Sequence, residues 1–380
     1  NAYVSIAIKP LNKDKKIKGV NINKYMTPTS NLKLLTVLAS IKSGDSINSL
    51  KYKLVSDTLH ISPTGYPLLE HPLYPDLELA NLLRSANTIV YHKSSEKIER
   101  YGPAWAWDDF TEYFSPERSS LPIYGNVIMI TKLENGELRI KPNIFNINLD
   151  STSSQSYTRK ENKNDFTINP LKIKLNDTIL IPYIVSDENT IGLIKHLTMK
   201  EVISGSNDII NSDNLYSKVS EKIYQSILKK SDNLISESLL ANVGFSYTDT
   251  ISVDVGISKT LEKLDAEIQN GVNWFDGSGL SRYNMVTPKA IIYTLNEIYN
   301  YWGLKKIKNF FPNNYVIEGE ERFVWGKTGT LRNNHNYSGY IITDKGKSYF
   351  FTIMINHFTK DLSEIKSVIS DFLKYLKSNA

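Results

Sequence analysis

The sequence of 380 residues contains no cysteine and only six histidines. The lack of cysteine excludes disulfide bonds and thiol catalysis, so that any zinc site would have to use histidine and carboxylate ligands. No two of the histidines have the spacing of metal ligands on one helix or strand. We therefore expect no metal site, and any catalysis would use hydroxyl, amine, amide or carboxylate groups.

Long apolar runs and a large net charge are also absent. No run approaches the roughly 18 apolar residues that a membrane span needs, so no transmembrane segment is expected. The net charge of +5 would suit an anionic polymer, but lysines spread along the whole chain are more typical of a solvated surface, and we predict no nucleic-acid partner. The opening residues, NAYVSIAIKP, have no signal-peptide pattern, so an export signal has been removed or lies outside this sequence.

The order of predicted elements indicates a discontinuous domain with an insertion. The chain is longer than the roughly 250 to 300 residues that one core supports. Strand and helix patterns near the N-terminus give way to short strands with few helices, and helices, three strands and a final helix then follow. We predict a mixed α/β (α+β) fold in which residues 1–75 and 199–380 form one domain and residues 76–198 an inserted β-rich domain.

A serine and a lysine three residues apart, Ser30 and Lys33, begin an apolar helix after Thr27-Pro28-Thr29. Backbone N–H groups are unpaired at such a position, and Lys33 lies one turn further on the same face. A buried Lys33 beside another cation would have a lowered pKa and could act as a base for Ser30. The alternative is a capped helix with a solvated lysine. The spacing alone is unspecific, because it also occurs at Ser94/Lys97, Ser226/Lys229 and Ser363/Lys366.

The tripeptide Lys327-Thr328-Gly329 occurs once, at the end of the predicted strand RFVWGKTGT. A lysine with the hydroxyls of Thr328 and Thr330 could hold a carboxylate. A glycine on a strand often marks the close approach of a ligand or another backbone. The alternative is a strand with a glycine bulge.

Ser-Asp-Asn occurs twice, at residues 212–214 and at residues 231–233. Either copy could simply cap a helix, which is the common use of these residues. The second copy lies between two predicted helices, the latter with a glycine stop at Gly244, in a turn where the Ser231 hydroxyl and the Asn233 amide could face a cleft.

The three motifs in this order are the pattern of penicillin-binding proteins and class A β-lactamases. The chain most closely resembles the class C low-molecular-mass penicillin-binding proteins, which are serine D-alanyl-D-alanine carboxypeptidases and endopeptidases. The resemblance covers residues 3–357 and includes the segments PTSNLKLLT, GPAWAWDDF, SDNLISESLLANVG, DGSGLSRYNMVTP and KTGTLRNNHNYSGYI. DGSGLSRYN also contains a serine and an asparagine, but their spacing is Ser-x-x-Asn, so we assign the second motif to residues 231–233.

The resemblance implies a penicillin-binding-protein/serine β-lactamase-like fold, an antiparallel sheet flanked by helices with an inserted β-rich region. It also implies acyl transfer without a metal or organic cofactor. Ser30 would attack the carbonyl of a D-Ala-D-Ala peptide bond, and Lys33 would accept its proton. Ser231 would relay a proton to the leaving amine, Asn233 would hold the substrate's amide backbone, and Lys327 would lower the pKa of Lys33 and attract the substrate carboxylate.

The remaining implied contacts concern binding. The backbone N–H groups of Ser30 and Thr330 would form the oxyanion hole, and Thr328, Gly329 and Thr330 would bind the terminal carboxylate. Asp109 would bind the amino group of the diamino acid in the stem peptide, or it could belong to a turn packed over aromatic rings. The implied partners are peptidoglycan peptides and β-lactam antibiotics, and the implied location is extracytoplasmic and periplasmic.

Two other functions compatible with the same motifs stay open: a β-lactamase or esterase, for which no dedicated deacylating carboxylate is identified, and a catalytically silent cell-wall-binding protein. A general binding protein would need five coincidences in the right order. The sequence leaves open whether terminal or cross-linked peptides are preferred, which diamino acid is recognised, and the oligomeric state.

Overall fold

The computed structural model describes residues 2–11, 15–44, 46–94, 98–205, 209, 211–315 and 321–380. The helices in these residues are α1 (Lys33–Lys42), α2 (Leu77–Ser85), α3 (Asp187–Thr198), α4 (Ser220–Gln225), α5 (Asn233–Thr248), α6 (Val253–Leu261), α7 (Ala266–Gln269), α8 (Pro288–Phe310) and α9 (Leu362–Asn379). None of these described helices is both long and apolar enough to span a membrane.

The strands in the described residues are β1 (Tyr3–Pro10), β2 (Lys18–Val20), β3 (Asn48–Val55), β4 (Thr58–Ser62), β5 (Thr88–Tyr91), β6 (Val127–Lys132), β7 (Leu138–Lys141), β8 (Asn146–Leu149), β9 (Tyr157–Arg159), β10 (Asp165–Ile168), β11 (Thr178–Pro182), β12 (Glu201–Ser204), β13 (Asp213–Tyr216), β14 (Val272–Asn273), β15 (Met285–Val286), β16 (Val324–Leu331), β17 (Asn334–Ile342) and β18 (Ser348–Asn356). They form five separate sheets.

The main sheet is built from both ends of the chain, in the order β16-β17-β18-β1-β2, and all its neighbouring strands are antiparallel. Alternation along its strands sends one set of side chains towards α1 and α8 and the other set towards α9. On the α9 side, Ile365, Ile369 and Leu373 are buried against the sheet. The predicted antiparallel sheet flanked by helices is confirmed.

A second five-stranded sheet has the order β12-β5-β4-β3-β13. β3 and β4 precede residue 76, β5 lies within the range predicted as an insertion, and β12 and β13 follow residue 199. The sheet therefore joins strands from both sides of the predicted boundaries. The division into residues 1–75 with 199–380 and residues 76–198 stays a prediction, and its boundaries do not coincide with a break in this sheet.

The middle of the chain forms two three-stranded sheets, β8-β10-β9 and β11-β6-β7. The segment before them, residues 98–126, contacts α5 and the loop after β14. In it, the Trp105 Nε1–H group donates to Asp276 Oδ2 (2.9 Å), and Arg118 forms an ion pair with Glu237. The middle region is thus attached to the elements that carry the motifs.

Helix α5 continues through Gly244 rather than ending there as predicted. The cause is packing: a Cβ atom placed on Gly244 would lie 3.0 Å from the backbone nitrogen of Gly256 on α6. The glycine allows two helices to approach closely, and α5 ends at Thr248, followed by the capping residue Asp249 with a φ of 58°.

Candidate active site

Ser30 lies in a short 3-10 turn, residues 29–32, that leads into α1. The residue before it, Thr29, has a φ of 53°, a left-handed conformation that β-branched residues rarely adopt. The turn is held by the amide of Asn336 on β17, whose Nδ2 donates to the carbonyl oxygens of Thr27 (2.9 Å) and Pro28 (2.8 Å). The main sheet therefore fixes the turn that presents Ser30.

Lys33 is fully buried directly behind Ser30. Its Nζ lies 3.2 Å from Ser30 Oγ, 2.6 Å from Asn233 Oδ1 and 2.6 Å from the carbonyl oxygen of Ser278. Asn233 is oriented by its own Nδ2, which donates to the carbonyl oxygen of Phe114 (2.7 Å). A neutral amine has two N–H groups and one lone pair. Because two partners can only accept, the lone pair is left for the Ser30 hydroxyl.

The charge of Lys33 is balanced between opposing effects. Burial lowers its pKa to about 8, against the carboxylates of Asp276, Glu237 and Asp232, which raise it. A pKa of about 8 leaves roughly a tenth of the amine neutral at pH 7.

Ser231 and Lys327 form a second serine–lysine pair. Ser231 has a φ of 60°, and Lys327 Nζ lies 2.8 Å from Ser231 Oγ and 2.8 Å from the carbonyl oxygen of Thr328. Burial and the charge of Lys33 hold the pKa of Lys327 well below its usual value. The two amines are coupled, so a charge on either one disfavours a charge on the other, while the three carboxylates near Lys33 favour its charged form.

The other residues of the third motif line the cleft beside Ser30. A Cβ atom placed on Gly329 would lie 2.7 Å from the backbone nitrogen of Ser30, so the strand glycine permits the close approach that its position suggested. The Thr330 hydroxyl lies 2.7 Å from Nδ1 of His335, and Tyr315 OH lies 2.6 Å from Nε2 of the same ring. Burial lowers the pKa of His335 to about 4, so this ring is neutral at pH 7.

A cleft of about 950 Å³ brings the predicted residues together. Of these residues, its lining contains Ser30, Ser231, Asn233, Thr328, Gly329, Thr330 and Asp109. Lys33 and Lys327 lie buried beneath it. The Asp109 carboxyl is half-buried; burial and Asp108 raise its pKa, whereas Arg282, which also lines the cleft, lowers it.

The other copies of the short motifs lie elsewhere. Ser226 and Lys229 belong to the π-helical turn after α4, and Ser363 and Lys366 lie on α9. Ser212-Asp213-Asn214 lies at the start of β13. None of these residues lines the cleft, nor does Ser94; Lys97 lies outside the described residues.

Two buried carboxylates that support the site were given no role from the sequence. Asp276 Oδ1 accepts from the backbone N–H of Gly279 (2.8 Å), and its Oδ2 accepts from that of Ser281 (2.6 Å). Glu237 Oε1 accepts from the backbone N–H of Ser278 (2.7 Å). Together they fix the loop whose carbonyl oxygen contacts Lys33. The glycines and serines of DGSGLSR were the available sign of such a loop, but no local pattern shows which carboxylate faces Lys33.

Asn233 has a contact within the protein that the sequence interpretation did not foresee. Its Oδ1 accepts from Lys33 Nζ, and its Nδ2 donates to the carbonyl oxygen of Phe114. An amide NH2 group has a second N–H, and Asn233 lines the cleft, so its expected contact with the substrate's amide backbone stays a prediction.

The chain is similar to known proteins in sequence and in fold. Residues 196–376 match the model of the D-Ala-D-Ala carboxypeptidase 3 (S13) family. D-alanyl-D-alanine carboxypeptidase DacB of Haemophilus influenzae is 30% identical over 166 residues, which are 40% of this chain and 34% of that protein. The matched part thus spans about a third of the length of this relative.

Two solved structures extend the similarity over the whole chain. Penicillin-binding protein 4 (dacB) of Haemophilus influenzae superposes with a TM-score of 0.74 at 20% identity, covering 99% of this chain and 95% of that one. A predatory peptidoglycan endopeptidase of Bdellovibrio bacteriovorus gives a TM-score of 0.55 at 12% identity, covering 99% and 93%. The resemblance inferred from the motifs is confirmed: the chain is similar in sequence to the S13 D-Ala-D-Ala carboxypeptidases over its C-terminal part and has the fold of a penicillin-binding protein.

Proposed function

We propose that this protein is a serine D-Ala-D-Ala carboxypeptidase/endopeptidase that acts on peptidoglycan stem peptides through an acyl-enzyme on Ser30, and that β-lactams acylate the same residue. The proposal rests on the position and the pKa of Lys33. Its Nζ lies 3.2 Å from Ser30 Oγ, and burial lowers its pKa to about 8. The substrate places the protein outside the cytoplasm, and we propose the periplasm.

Acylation forms a bond between Ser30 Oγ and the carbonyl carbon while the serine proton passes to Lys33. The oxyanion would be held by the backbone N–H groups of Ser30 and Thr330, each such donor being worth roughly 3 kcal/mol. The C–N bond to the leaving D-alanine then breaks, and its amine takes a proton through Ser231, which contacts Lys327. Water hydrolyses the acyl-enzyme to restore Ser30.

Substrate binding would also redistribute charge between the two lysines. A terminal carboxylate held by Thr328 and Thr330 lies near Lys327 and favours its ammonium form. Because the two amines are coupled, a charge on Lys327 disfavours a charge on Lys33. The carboxylate of the substrate would therefore help to produce the neutral Lys33 that acylation needs.

The cleft also contains an acidic and a basic side chain, Asp109 and Arg282. Asp109 is proposed to bind the free amino group of the stem peptide's diamino acid, and the half-buried position of its carboxyl supports a desolvated contact. Arg282 provides a positive charge in the same cleft, within the range in which it lowers the pKa of Asp109. A residue with both an amino and a carboxylate group would match this pair.

The proposal is tested by incubating the protein with benzylpenicillin and following the intact mass over time. Ser30→Ala is the test variant, and Ser363→Ala, which changes another serine of the same spacing, is the matched control. A stable adduct on the parent protein and on Ser363→Ala, absent from Ser30→Ala, is expected.

The other outcomes separate the alternatives. Rapid consumption of penicillin without an adduct would identify a β-lactamase or esterase, and neither adduct nor consumption would identify a catalytically silent wall-binding protein. With an adduct established, release of D-alanine from a pentapeptide and cleavage of a cross-linked dimer are then compared to separate the carboxypeptidase and endopeptidase activities.

A further inference from the structure

A second groove, of about 570 Å³, lies between α8 and the N-terminal part of the chain. Helix α8 contributes Lys289, Tyr293, Asn296 and Asn300 to its lining. These positions are three or four residues apart and so share one helix face. The groove lies next to β1, and β17 and β18 separate β1 from β16 in the main sheet. At about 4.8 Å between neighbouring strands, β1 is roughly 14 Å from β16.

The base of the groove contains a buried lysine. Lys9 follows Ser5 and Ala7 on the inward face of β1 and is 8% exposed. Its Nζ lies 5.5 Å from the centre of the Phe350 ring, and burial lowers its pKa. Within the part of the chain that the structure describes, no carboxylate pairs with it and no acceptor takes a hydrogen bond from it. Because Lys9 lines the groove and has no anionic partner among the described residues, its ammonium is available to a negative group there.

Most of the groups around Lys9 suit an anion. Lys15 and Lys16, both exposed, also line the groove. No aspartate or glutamate occurs among the described lining residues; the acidic contact nearby is the pairing of Glu267 with Lys289. Tyr293 and the asparagine amides of α8 can all donate hydrogen bonds. Several lysine charges with neutral donors are the chemistry that recognises a phosphate.

We propose that this groove binds a phosphate group, from either a lipid headgroup or a free phosphate, as a site separate from the cleft at Ser30. The phosphate oxygens would face Lys9 at the base and Lys15 and Lys16 at the rim.

The test uses the full chain at fixed ionic strength. One arm titrates inorganic phosphate by calorimetry, and the other measures co-sedimentation with vesicles of phosphatidylglycerol and, for comparison, of phosphatidylcholine alone. The variants are Lys9→Met and the exposed pair Lys15→Gln/Lys16→Gln. The matched control, Lys195→Gln/Lys374→Gln, removes two exposed charges from α3 and α9.

We expect the exposed pair to weaken binding about fivefold for each lysine removed, and Lys9→Met about tenfold, while the control binds like the parent. Binding of phosphate would identify the free anion, and binding of phosphatidylglycerol vesicles alone would identify the headgroup. Binding in neither arm, or equal weakening in the control, would overturn the proposal. So would unchanged binding by a folded Lys9→Met; if that variant fails to fold, the exposed pair decides.

Discussion

The cleft contains two serine–lysine pairs that differ in how they are built. Ser30 and Lys33 are three residues apart on one helical segment, and their Oγ and Nζ atoms are 3.2 Å apart. Ser231 and Lys327 are 96 residues apart, on a turn and on a strand, and their corresponding atoms are 2.8 Å apart. Three carboxylates favour the charge of Lys33, whereas Lys327 is buried beside another cation.

The comparison shows how two lysines in one site can have different protonation states. Lys33 keeps its proton up to about pH 8 because Asp276, Glu237 and Asp232 offset part of the cost of burial. Lys327 has no ion-pair partner among the described residues, so burial and the charge of Lys33 favour its neutral form. We infer that Lys33 is the group that gains and loses a proton in the free site. Lys327 would become charged when a carboxylate binds.

The largest expected effect comes from replacing each lysine by methionine. Lys33→Met should lower the rate constant of acylation by benzylpenicillin roughly 10²- to 10⁴-fold, because it removes a general base. Lys327→Met should lower it roughly 10²- to 10³-fold, through weaker carboxylate binding and charge stabilisation. Stopped-flow acylation measures both. A smaller effect for Lys33→Met than for Lys327→Met would reverse the assignment of the base.

The same two variants should differ in stability. Lys33→Met leaves Asn233 Oδ1 and the Ser278 carbonyl oxygen without their donor beside three carboxylates, so we expect a loss of about 2–4 kcal/mol in the free energy of unfolding. Lys327→Met removes a buried amine without a carboxylate partner, and we expect a change within about 1 kcal/mol. Urea unfolding measures the difference. Equal losses of unfolding free energy in the two variants would show that the carboxylates do not stabilise Lys33 more than Lys327.

The pH dependence of acylation tests the charge balance at Lys33. Since acylation needs the neutral amine, its second-order rate constant should rise with pH and reach half its maximum near pH 8, the pKa of Lys33 in the free enzyme. Glu237→Gln removes a carboxylate that raises this pKa, so the midpoint should move to lower pH. Glu364→Gln on the exposed face of α9 is the control. A midpoint that moves to higher pH, or that does not move, contradicts this account.

The sequence could predict the first pair better than the second, for a physical reason. Helical geometry alone places Ser30 and Lys33 on one face, so their contact was predictable from spacing and position. The contact between Ser231 and Lys327 depends on how α5 and the edge strand β16 meet, and only the order of motifs in a known family suggested it. The strand patterns near both chain ends likewise predicted the main sheet, because alternation and a hairpin turn are local features.

Features that depend on contacts between distant segments were not predictable. Asn336 holds the turn before Ser30, and the Phe114 carbonyl oxygen orients Asn233 from outside the three motifs. The second sheet joins β4, β5 and β12 in parallel, across the boundaries drawn from the order of predicted strands and helices. The pKa of Lys33 likewise depends on the positions of Asp276 and Glu237, which lie far from it in the sequence.

The smallest expected effect on the free energy of unfolding comes from the backbone conformation at each serine. Ser231 has a φ of 60°, where a side chain costs roughly 1–2 kcal/mol, whereas Ser30 lies in a 3-10 turn and has no positive φ. Alanine and glycine both remove the hydroxyl, so their difference reports the backbone alone. We expect Ser231→Gly to be more stable than Ser231→Ala by about 1 kcal/mol, and Ser30→Gly to be less stable than Ser30→Ala by a similar amount. Urea unfolding of the four variants measures both differences. Differences of the same sign would show that the backbone conformations at the two serines have the same effect on stability. The left-handed conformation at Ser231 would then not explain the orientation of its hydroxyl towards Lys327.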